Sequence, residues 1–286
     1  MQSSKCFFVS DLHGRTARYD KLFQLISEKR PRAVFIGGDI LPLQARSSKS
    51  GNNRFLDDYF IASLLQLKEQ LKNDYPRVFL ILGNDDPASE EKAIIAAACQ
   101  GIWEYIHNRK TLLDTWPVYG YACVPPTPFR LKDWERYDVS RYADPGCLSP
   151  EAGTHTIPFD ENSLKYSTIK NDLAKLAGNE NLQDAIILFH SPPYNCKLDR
   201  AALDGRYVDH VPLDVHVGSI AIKEFIENRQ PLITLHGHIH ESARLTGAWM
   251  EKFGRTYAYS AAHDGPELAV VEFEPENPSA AVRHLI

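Results

Sequence analysis

Basic residues are in short supply: 32 Lys and Arg stand against 37 Asp and Glu, a formal charge of -5 over 286 residues. No general positive field awaits a nucleic-acid backbone, which counts against a nuclease although it leaves room for a local groove. Cysteine is sparse too. Cys6, Cys99, Cys123, Cys147 and Cys196 are odd in number, far apart and without a Cys-x-x-Cys pair, which reads as reduced thiols in a cytoplasm. Nowhere does an apolar run approach the roughly 18–20 residues of a membrane span. The opening Met1 to Val9 holds only a four-residue apolar stretch before Ser10-Asp11, too short for a signal peptide. The expectation is a soluble, cytoplasmic protein with no membrane partner, whose start belongs to the fold. No repeat of fixed period is present. With 43% hydrophobic and 24% charged residues, the chain is globular, and its length suffices for an ample core without a disulfide or metal staple.

One pattern recurs irregularly. A short apolar run stops at a residue able to bind metal, at Phe7-Phe8-Val9-Ser10-Asp11, Ala33 to Asp39, Val78 to Asn84, Ile186 to His190 and Leu232 to His238. Continuous runs of this length suit strands buried on both faces. Helical stretches intervene at Arg18 to Lys29, Phe55 to Lys72, Ala88 to Gln100, Ser163 to Ala177 and Ser219 to Asn228. Alternation of this kind predicts an α/β protein with parallel strands and helical crossovers. Ligands bind at the carboxyl ends of such strands, so the five polar endings should meet there.

Two segments break the rhythm. Gln44 to Arg54 is polar and aperiodic and reads as a mobile loop. Val124 to Asp160 contains six prolines and several aromatics, and an irregular excursion of that length is usually functional or disordered. Downstream, Thr256 to Ser260, Glu267 to Phe273 and Ala281 to Leu285 predict antiparallel strands of a second sheet. No linker is evident, so the expectation is a single domain over residues 1–286, with the excursion at about 124–160 on the substrate side.

Asp11 and His13 are two residues apart, as are His238 and His240. In extended backbone, residues i and i+2 face the same side, so each pair can reach one ion. Asp39, Asn84 and His190 complete seven nitrogen and oxygen ligands, and no cysteine is among them. Imidazole with carboxylate suits Mn, Fe, Zn or Ni rather than Ca, and seven ligands are too many for one tetrahedral zinc. Two divalent ions sharing a bridging carboxylate fit the arithmetic. Such sites clamp an in-line displacement at phosphorus and acidify the water between the ions.

These residues resemble the calcineurin-like metallophosphoesterases. The family signature Asp-x-His, Gly-Asp-x-x-Asp, Gly-Asn-His-Asp/Glu, a lone His and Gly-His-x-His is matched here, in order, by Asp11-Leu12-His13, Gly38-Asp39, Gly83-Asn84-Asp85-Asp86, His190 and Gly237-His238-Ile239-His240. The resemblance implies a four-layer α/β sandwich of two mixed sheets flanked by helices. It implies Asp11, His13, Asp39 and His240 on one ion, and Asp39, Asn84, His190 and His238 on the other, with Asp39 as the bridge. It further implies a hydrolase in which a metal-bridging hydroxide attacks a small-molecule phosphate ester, while Asn84 and the two ions (Mn, Fe or Zn) stabilise the charge building on the phosphoryl oxygens.

Two departures from the family pattern carry consequences. Pro42 stands where the second acid of Gly-Asp-x-x-Asp belongs, and Asp85 replaces the histidine generally taken to orient phosphate or protonate the leaving group. An aspartate beside two cations is a poor acid near neutrality. Asp85 therefore plays another role, or the proton comes from water or a further side chain such as His216. Two divalent ions less Asp11, Asp39 and one hydroxide leave about +1, and an ionised Asp85 brings that to about zero. The expectation is a bias towards monoanionic diesters over dianionic monoesters, and towards leaving groups that need no protonation.

Plainer readings stand beside these. Asp86, before Pro87 and a helical run, reads as a helix N-cap. Arg15 is either a phosphate donor or a solvated residue opening the next helix. His236 lies beyond the ligand count and reads as structural. His107, His155 and His284 read as ordinary surface or core histidines, and Tyr119, Tyr121, Phe129, Trp134 and Tyr137 as aromatics packing the excursion onto the sheet. Gly37, Gly38, Gly83 and Gly237 permit sharp turns at strand ends. A second function class remains: a catalytically inactive scaffold or interaction module on the same fold. It would bind metal without turning over any ester.

Overall fold

A computed structural model of the chain describes residues 4–43 and 55–286; the polar segment 44–54 lies outside them. Among the described residues the strands are β1 (Cys6–Val9), β2 (Ala33–Gly37), β3 (Arg77–Ile81), β4 (Glu104–Tyr105), β5 (Arg109–Leu113), β6 (Trp116–Tyr121), β7 (Ile186–Phe189), β8 (Tyr207–Val208), β9 (Val211–Pro212), β10 (Ile233–His236), β11 (Met250–Phe253), β12 (Thr256–Ser260), β13 (Ala269–Phe273) and β14 (Val282–Leu285). The α-helices are α1 (Thr16–Lys29), α2 (Ala62–Leu71), α3 (Glu91–Ala98), α4 (Glu161–Tyr166), α5 (Ile169–Ala177), α6 (Ile220–Arg229) and α7 (Ser242–Thr246).

Two six-stranded mixed sheets result. One runs β14-β13-β1-β2-β3-β4 and the other β11-β12-β10-β7-β6-β5. In the first, β1 to β4 are parallel and β13 and β14 antiparallel. In the second, β12, β10, β7 and β6 are parallel, and β11 and β5 close the edges antiparallel. The continuous apolar runs behave as expected of strands covered on both faces: every residue of β1, β2, β7 and β10 is buried. Phe35 and Phe79 are register partners on β2 and β3, with ring centroids 5.0 Å apart. Each such ring withdrawn from water contributes about 1.5–3 kcal/mol.

Helices supply the crossovers that parallel neighbours require. On α1 the buried Tyr19, Leu22 and Ile26 form the inner stripe, and Arg30 in left-handed conformation ends it by donating to the Ile26 carbonyl. Ser219 opens α6 by accepting from the Ile222 amide. Helices α1 and α2 pack together, as do α5 and α6.

The two mixed sheets are those that the family resemblance implies, and the five strands with candidate ligands at their ends divide between them, β1, β2 and β3 in the first and β7 and β10 in the second. Two expectations need correction. The C-terminal strands are not a sheet of their own. Thr256–Ser260 pairs parallel with β10, while β13 and β14 extend the first sheet beside β1. Period-two alternation reports a covered face and says nothing of the neighbour's direction. The stretch read as one helix from Ser163 to Ala177 is two, α4 and α5. The extended Thr168 between them caps α5 through Asn171, and the Ile169 amide is claimed by the Tyr137 carbonyl.

The excursion is an ordered coil clamped from inside. Lys132 and Glu135, both fully buried, pair at 2.5 Å; the Glu135 carboxylate also accepts from Thr127 N and Oγ1, and Lys132 Nζ donates to the Thr127 carbonyl. Trp134 and Tyr137 are buried beside it, as are Tyr119 and Tyr121 on β6, whereas Phe129 is half exposed.

Candidate metal centre

Each of the seven motif residues sits just past the end of a buried strand. Asp11 and His13 follow β1, Asp39 follows β2, Asn84 follows β3, His190 follows β7, and His238 and His240 follow β10. The first two loops are knitted together by backbone bonds from Asp11 N to Gly38 O (3.0 Å), His13 N to Asp39 O (2.8 Å) and Gly14 N to Ile40 O (2.9 Å). Extended alternation is not what pairs the i, i+2 residues, because the backbone there is turned. Asp11 (φ 57°), His13 (φ 47°), Asp39 (φ 52°) and His238 (φ 72°) all occupy the left-handed region. Non-glycine residues are held there at a cost of about 1 kcal/mol or more each, and such strain concentrates where function requires a geometry.

The side chains converge. One ligand atom each from Asp11, His13, Asp39 and His240 lie within 4.8 Å of one another. His240 Nε2 is 3.2 Å from Asp11 Oδ1 and 3.2 Å from His13 Nε2. On the other side, His190 Nε2 lies 3.1 Å from Asn84 Oδ1 and 3.3 Å from Asp39 Oδ2, with the His238 ring 5.3 Å away between centroids. Asp39 faces both groups, for His13 Nε2 is 3.9 Å from its Oδ2. The Nδ1–H of His190 donates to the Gly37 carbonyl at 2.7 Å, which leaves Nε2 as the inward nitrogen.

Burial and charge oppose one another here. Burial raises a carboxyl, but at Asp11 the His240 bond and the neighbouring imidazoles outweigh it and hold the group at about 2. Asp39 is lowered likewise, burial being overcome by His190, His13 and His238. Burial lowers an imidazole, yet Asp39 and Asp11 bring His190 up to about 9, and Asp11 raises His240. At His238 burial wins, aided by the His190 charge, and the ring falls to about 3; His13 is lowered by burial as well. Two buried, ionised carboxylates thus draw positive charge to this edge.

These residues fit a pair of transition-metal ions. The donor set is two carboxylates, an amide oxygen and four imidazoles without a thiolate, and the buried His13 Nδ1 has no hydrogen-bond partner among the described residues. The cradle tolerates no added carbon at two glycines. Gly38 has φ 91°, and a Cβ there would lie 2.8 Å from His190 Nδ1. At Gly237 it would lie 2.7 Å from Asp11 Oδ2 and closer still to Ser10 Oγ.

Two supporting residues escaped the sequence reading. Asp86 is not an N-cap. The short helical turn after it is entered through Pro87, and the Ala88 amide is taken by Asp133. The fully buried Asp86 carboxylate instead accepts from Gly83 N (2.9 Å), Leu41 N (2.8 Å) and Ile40 N (3.2 Å). It fastens the Asp39 loop to the Asn84 loop. Its carbonyl takes the Trp134 indole N–H at 2.8 Å, bringing the excursion alongside. Arg18 is the other. Buried on α1, it donates to the Asp11 carbonyl at 2.7 Å and to the Gly265 carbonyl at 2.5 Å. Its place in the i, i+4, i+8 series with Leu22 and Ile26 was the available signal, an arginine on an apolar stripe.

The remaining candidates separate. Asp85 adjoins the cluster: its amide donates to Asp39 Oδ1 at 2.7 Å, its Oδ1 accepts from Asn84 Nδ2 at 2.9 Å, and its Oδ2 is 3.7 Å from His13 Nδ1. His216 makes its contacts elsewhere, with Nδ1 2.7 Å from Asp199 Oδ1 and its ring 6.2 Å from that of Tyr194. Arg15 Nη1 donates to the Gly265 carbonyl at 3.2 Å. His236 is buried and structural, with Nδ1–H to the Ser191 carbonyl (2.9 Å) and Nε2 accepting from Thr234 Oγ1 (2.8 Å).

The calcineurin-like phosphoesterase family model matches residues 4–242. An uncharacterized protein of Methanocaldococcus jannaschii is 34% identical over 93 residues, 32% of this chain and 38% of the relative, so the match spans well under two thirds of that relative's length. The crystal structure of the TT1561 protein of Thermus thermophilus matches with 98% of each chain covered, a TM-score of 0.55 and 13% identity. A further solved structure covers 99% of this chain and 98% of its own at a TM-score of 0.59 and 17% identity. At such identities the likeness shows the fold.

Proposed function

The chain belongs to the calcineurin-like phosphoesterase family, and on that premise we propose that it hydrolyses small-molecule phosphate esters, diesters in preference to monoesters, with two divalent ions (Mn, Fe or Zn) bound. The observation that carries this reading is the convergence of seven nitrogen- and oxygen-bearing side chains from five strand ends, four of them on strained backbone. Asp11, His13 and His240 are assigned to one ion, Asn84, His190 and His238 to the other, and Asp39 to both.

When bound, the ions supply the Lewis acidity that activates water and draws charge off the phosphoryl oxygens. The chain's own share is orientation. The Gly37 carbonyl fixes the His190 tautomer, Asp86 keeps the Asp39 and Asn84 loops in register, and Arg18 holds the Asp11 backbone. Asp85 contributes charge: an ionised carboxylate next to Asn84 and His13 disfavours a second negative charge on the ester. Acid chemistry suits it poorly, so protonation of the leaving group falls to water or to another side chain, for which His216 is the candidate. We read the chain as one domain, and cysteine usage supports a cytoplasmic location.

The test joins elemental analysis to an ester panel. Protein loaded with manganese, iron or zinc is expected to hold two ions and to cleave bis(p-nitrophenyl) phosphate faster than p-nitrophenyl phosphate. Asp85→His is expected to shift that ratio about tenfold towards the monoester, the equivalent of about 1.4 kcal/mol of differential electrostatics. Two bound ions without turnover of any ester would favour the scaffold, and a wild-type preference for monoesters would overturn the charge argument.

A further inference from the structure

Asp199 is fully buried, and its carboxylate is the hub of the loop running from His190 to α6. It accepts from the amides of Asn195 (2.8 Å), Cys196 (3.0 Å) and Gly218 (3.1 Å), and its Oδ1 meets His216 Nδ1 at 2.7 Å. Three fixed backbone donors hold the carboxylate in place, and the carboxylate fixes the imidazole. A carboxylate accepts and cannot donate, so the proton of a neutral His216 sits on Nδ1 and the Nε2 face is left for another partner. The side chain is one quarter exposed.

Backbone bonds on both flanks tie the segment that carries this imidazole to the loops following β7 and β10. After it, Ser219 N donates to Pro192 O and Tyr194 N to Ser219 O, each 2.9 Å, which pins the segment to the residues immediately following His190. Gly218 lies so close there that a Cβ would come within 2.7 Å of the Pro192 and Pro193 carbonyls. Before it, Ala201 N donates to Val215 O at 2.8 Å, and Ala202 N donates to Glu241 Oε1 at 3.0 Å, beside His240. The segment bearing His216 is therefore laced between the loop carrying His190 and the loop carrying His240, with the ring on a carboxylate support and Nε2 without a hydrogen bond among the described residues.

We infer that His216, oriented by Asp199, is the proton donor to the leaving group. The inference rests on the phosphoesterase reading and supplies the acid that the replacement of a histidine by Asp85 removes. The donor form is the imidazolium, its Nδ1–H held by Asp199: as the bond between phosphorus and the departing oxygen breaks, its electron pair stays on that oxygen, which takes the Nε2 proton, and the ring is left as the neutral Nδ1–H form. The water-derived nucleophile forms the new bond to phosphorus and gives its proton to solvent, and solvent returns one to Nε2. Asp199 is a positioning residue: it holds the ring and its tautomer and touches no substrate. A poor leaving group, such as an alkoxide, then departs almost as readily as a nitrophenolate. This replaces the expectation that only leaving groups needing no protonation are favoured.

The experiment is a leaving-group series of methyl phosphodiesters, from nitrophenyl to alkyl, assayed with wild type, His216→Gln and Asp199→Asn at equal metal content. Wild type is expected to show a shallow dependence of kcat/KM on leaving-group pKa. In His216→Gln the alkyl ester should fall about 100-fold or more, the range a positioned acid contributes, while the nitrophenyl ester falls only about threefold. Asp199→Asn should steepen the series in the same direction, and nitrogen NMR of the His216 ring should lose the Nδ1–H form expected of wild type. An equal loss across the series in His216→Gln, or no loss, overturns the assignment while leaving the phosphoesterase reading intact. A wild type that binds two ions and cleaves no ester overturns both.

Discussion

Asp86 offers the sharpest test of how the centre is held. Among the described residues its carboxylate is the only acceptor for the amides of Gly83, Ile40 and Leu41, and those amides belong to the loops that carry Asn84 and Asp39. Asp86→Ala removes both oxygens and leaves three buried donors unmade. At about 1–3 kcal/mol for each unsatisfied group, the loss is about 3–9 kcal/mol, a large part of the 5–15 kcal/mol that a folded domain typically has to spare. Asp86→Asn is gentler. Its amide oxygen, placed where Oδ2 stands, keeps the bonds to Gly83 and Ile40, but its NH2 then confronts the Leu41 N–H, donor against donor. One lost bond and one stranded amide amount to about 2–4 kcal/mol. Urea unfolding of the metal-free proteins, read as midpoint and slope, is expected to rank wild type above Asn above Ala. Because the displaced loops carry the candidate ligands Asp39 and Asn84, manganese affinity of the Asn variant should fall about 10–100-fold. If both variants unfold within about 0.5 kcal/mol of wild type and bind manganese as tightly, the clamp is incidental and the reasoning fails.

Two further outcomes probe the supports around it. Lys132→Met strands the buried Glu135 carboxylate and should cost about 3–5 kcal/mol by denaturant unfolding, whereas Lys132→Met with Glu135→Gln should recover much of that; a single-variant loss below about 1 kcal/mol would show that the pair carries no such weight. Gly237→Ala places a carbon 2.7 Å from Asp11 Oδ2, so manganese titration should show affinity reduced at least about tenfold with the far-UV circular dichroism unchanged, and an unaltered affinity would mean that the loop yields freely.

Much of the centre was legible because burial on both faces writes itself as an uninterrupted apolar run. The endings of β1, β2, β3, β7 and β10 could be found that way, and with them Asp11, Asp39, Asn84, His190 and His238. What failed was the local conformation. Extended alternation was the wrong reason for pairing Asp11 with His13, since both are held left-handed by bonds to the Gly38 and Asp39 carbonyls, partners supplied by the loop after β2. Asp86 was misread for a similar cause. The Asp-Pro sequence looks like a helix start, and the approach of Ile40 and Leu41 gives that carboxylate two of its three donors.

The amino-acid sequence by itself determined the α/β alternation, the polar residues at the strand ends and the type of donor atom offered, because these follow from apolar periodicity and side-chain chemistry, which are local. Tertiary structure decided which strands share a sheet, how Thr168 divides α4 from α5, and how Asp86, which reads as a helix N-cap, and Arg18 serve as internal fastenings. It also decided that Asp199 grips His216. Each of those outcomes depends on a hydrogen-bonding partner or a neighbouring strand remote in the chain, and no window of adjacent residues contains both halves of such a contact.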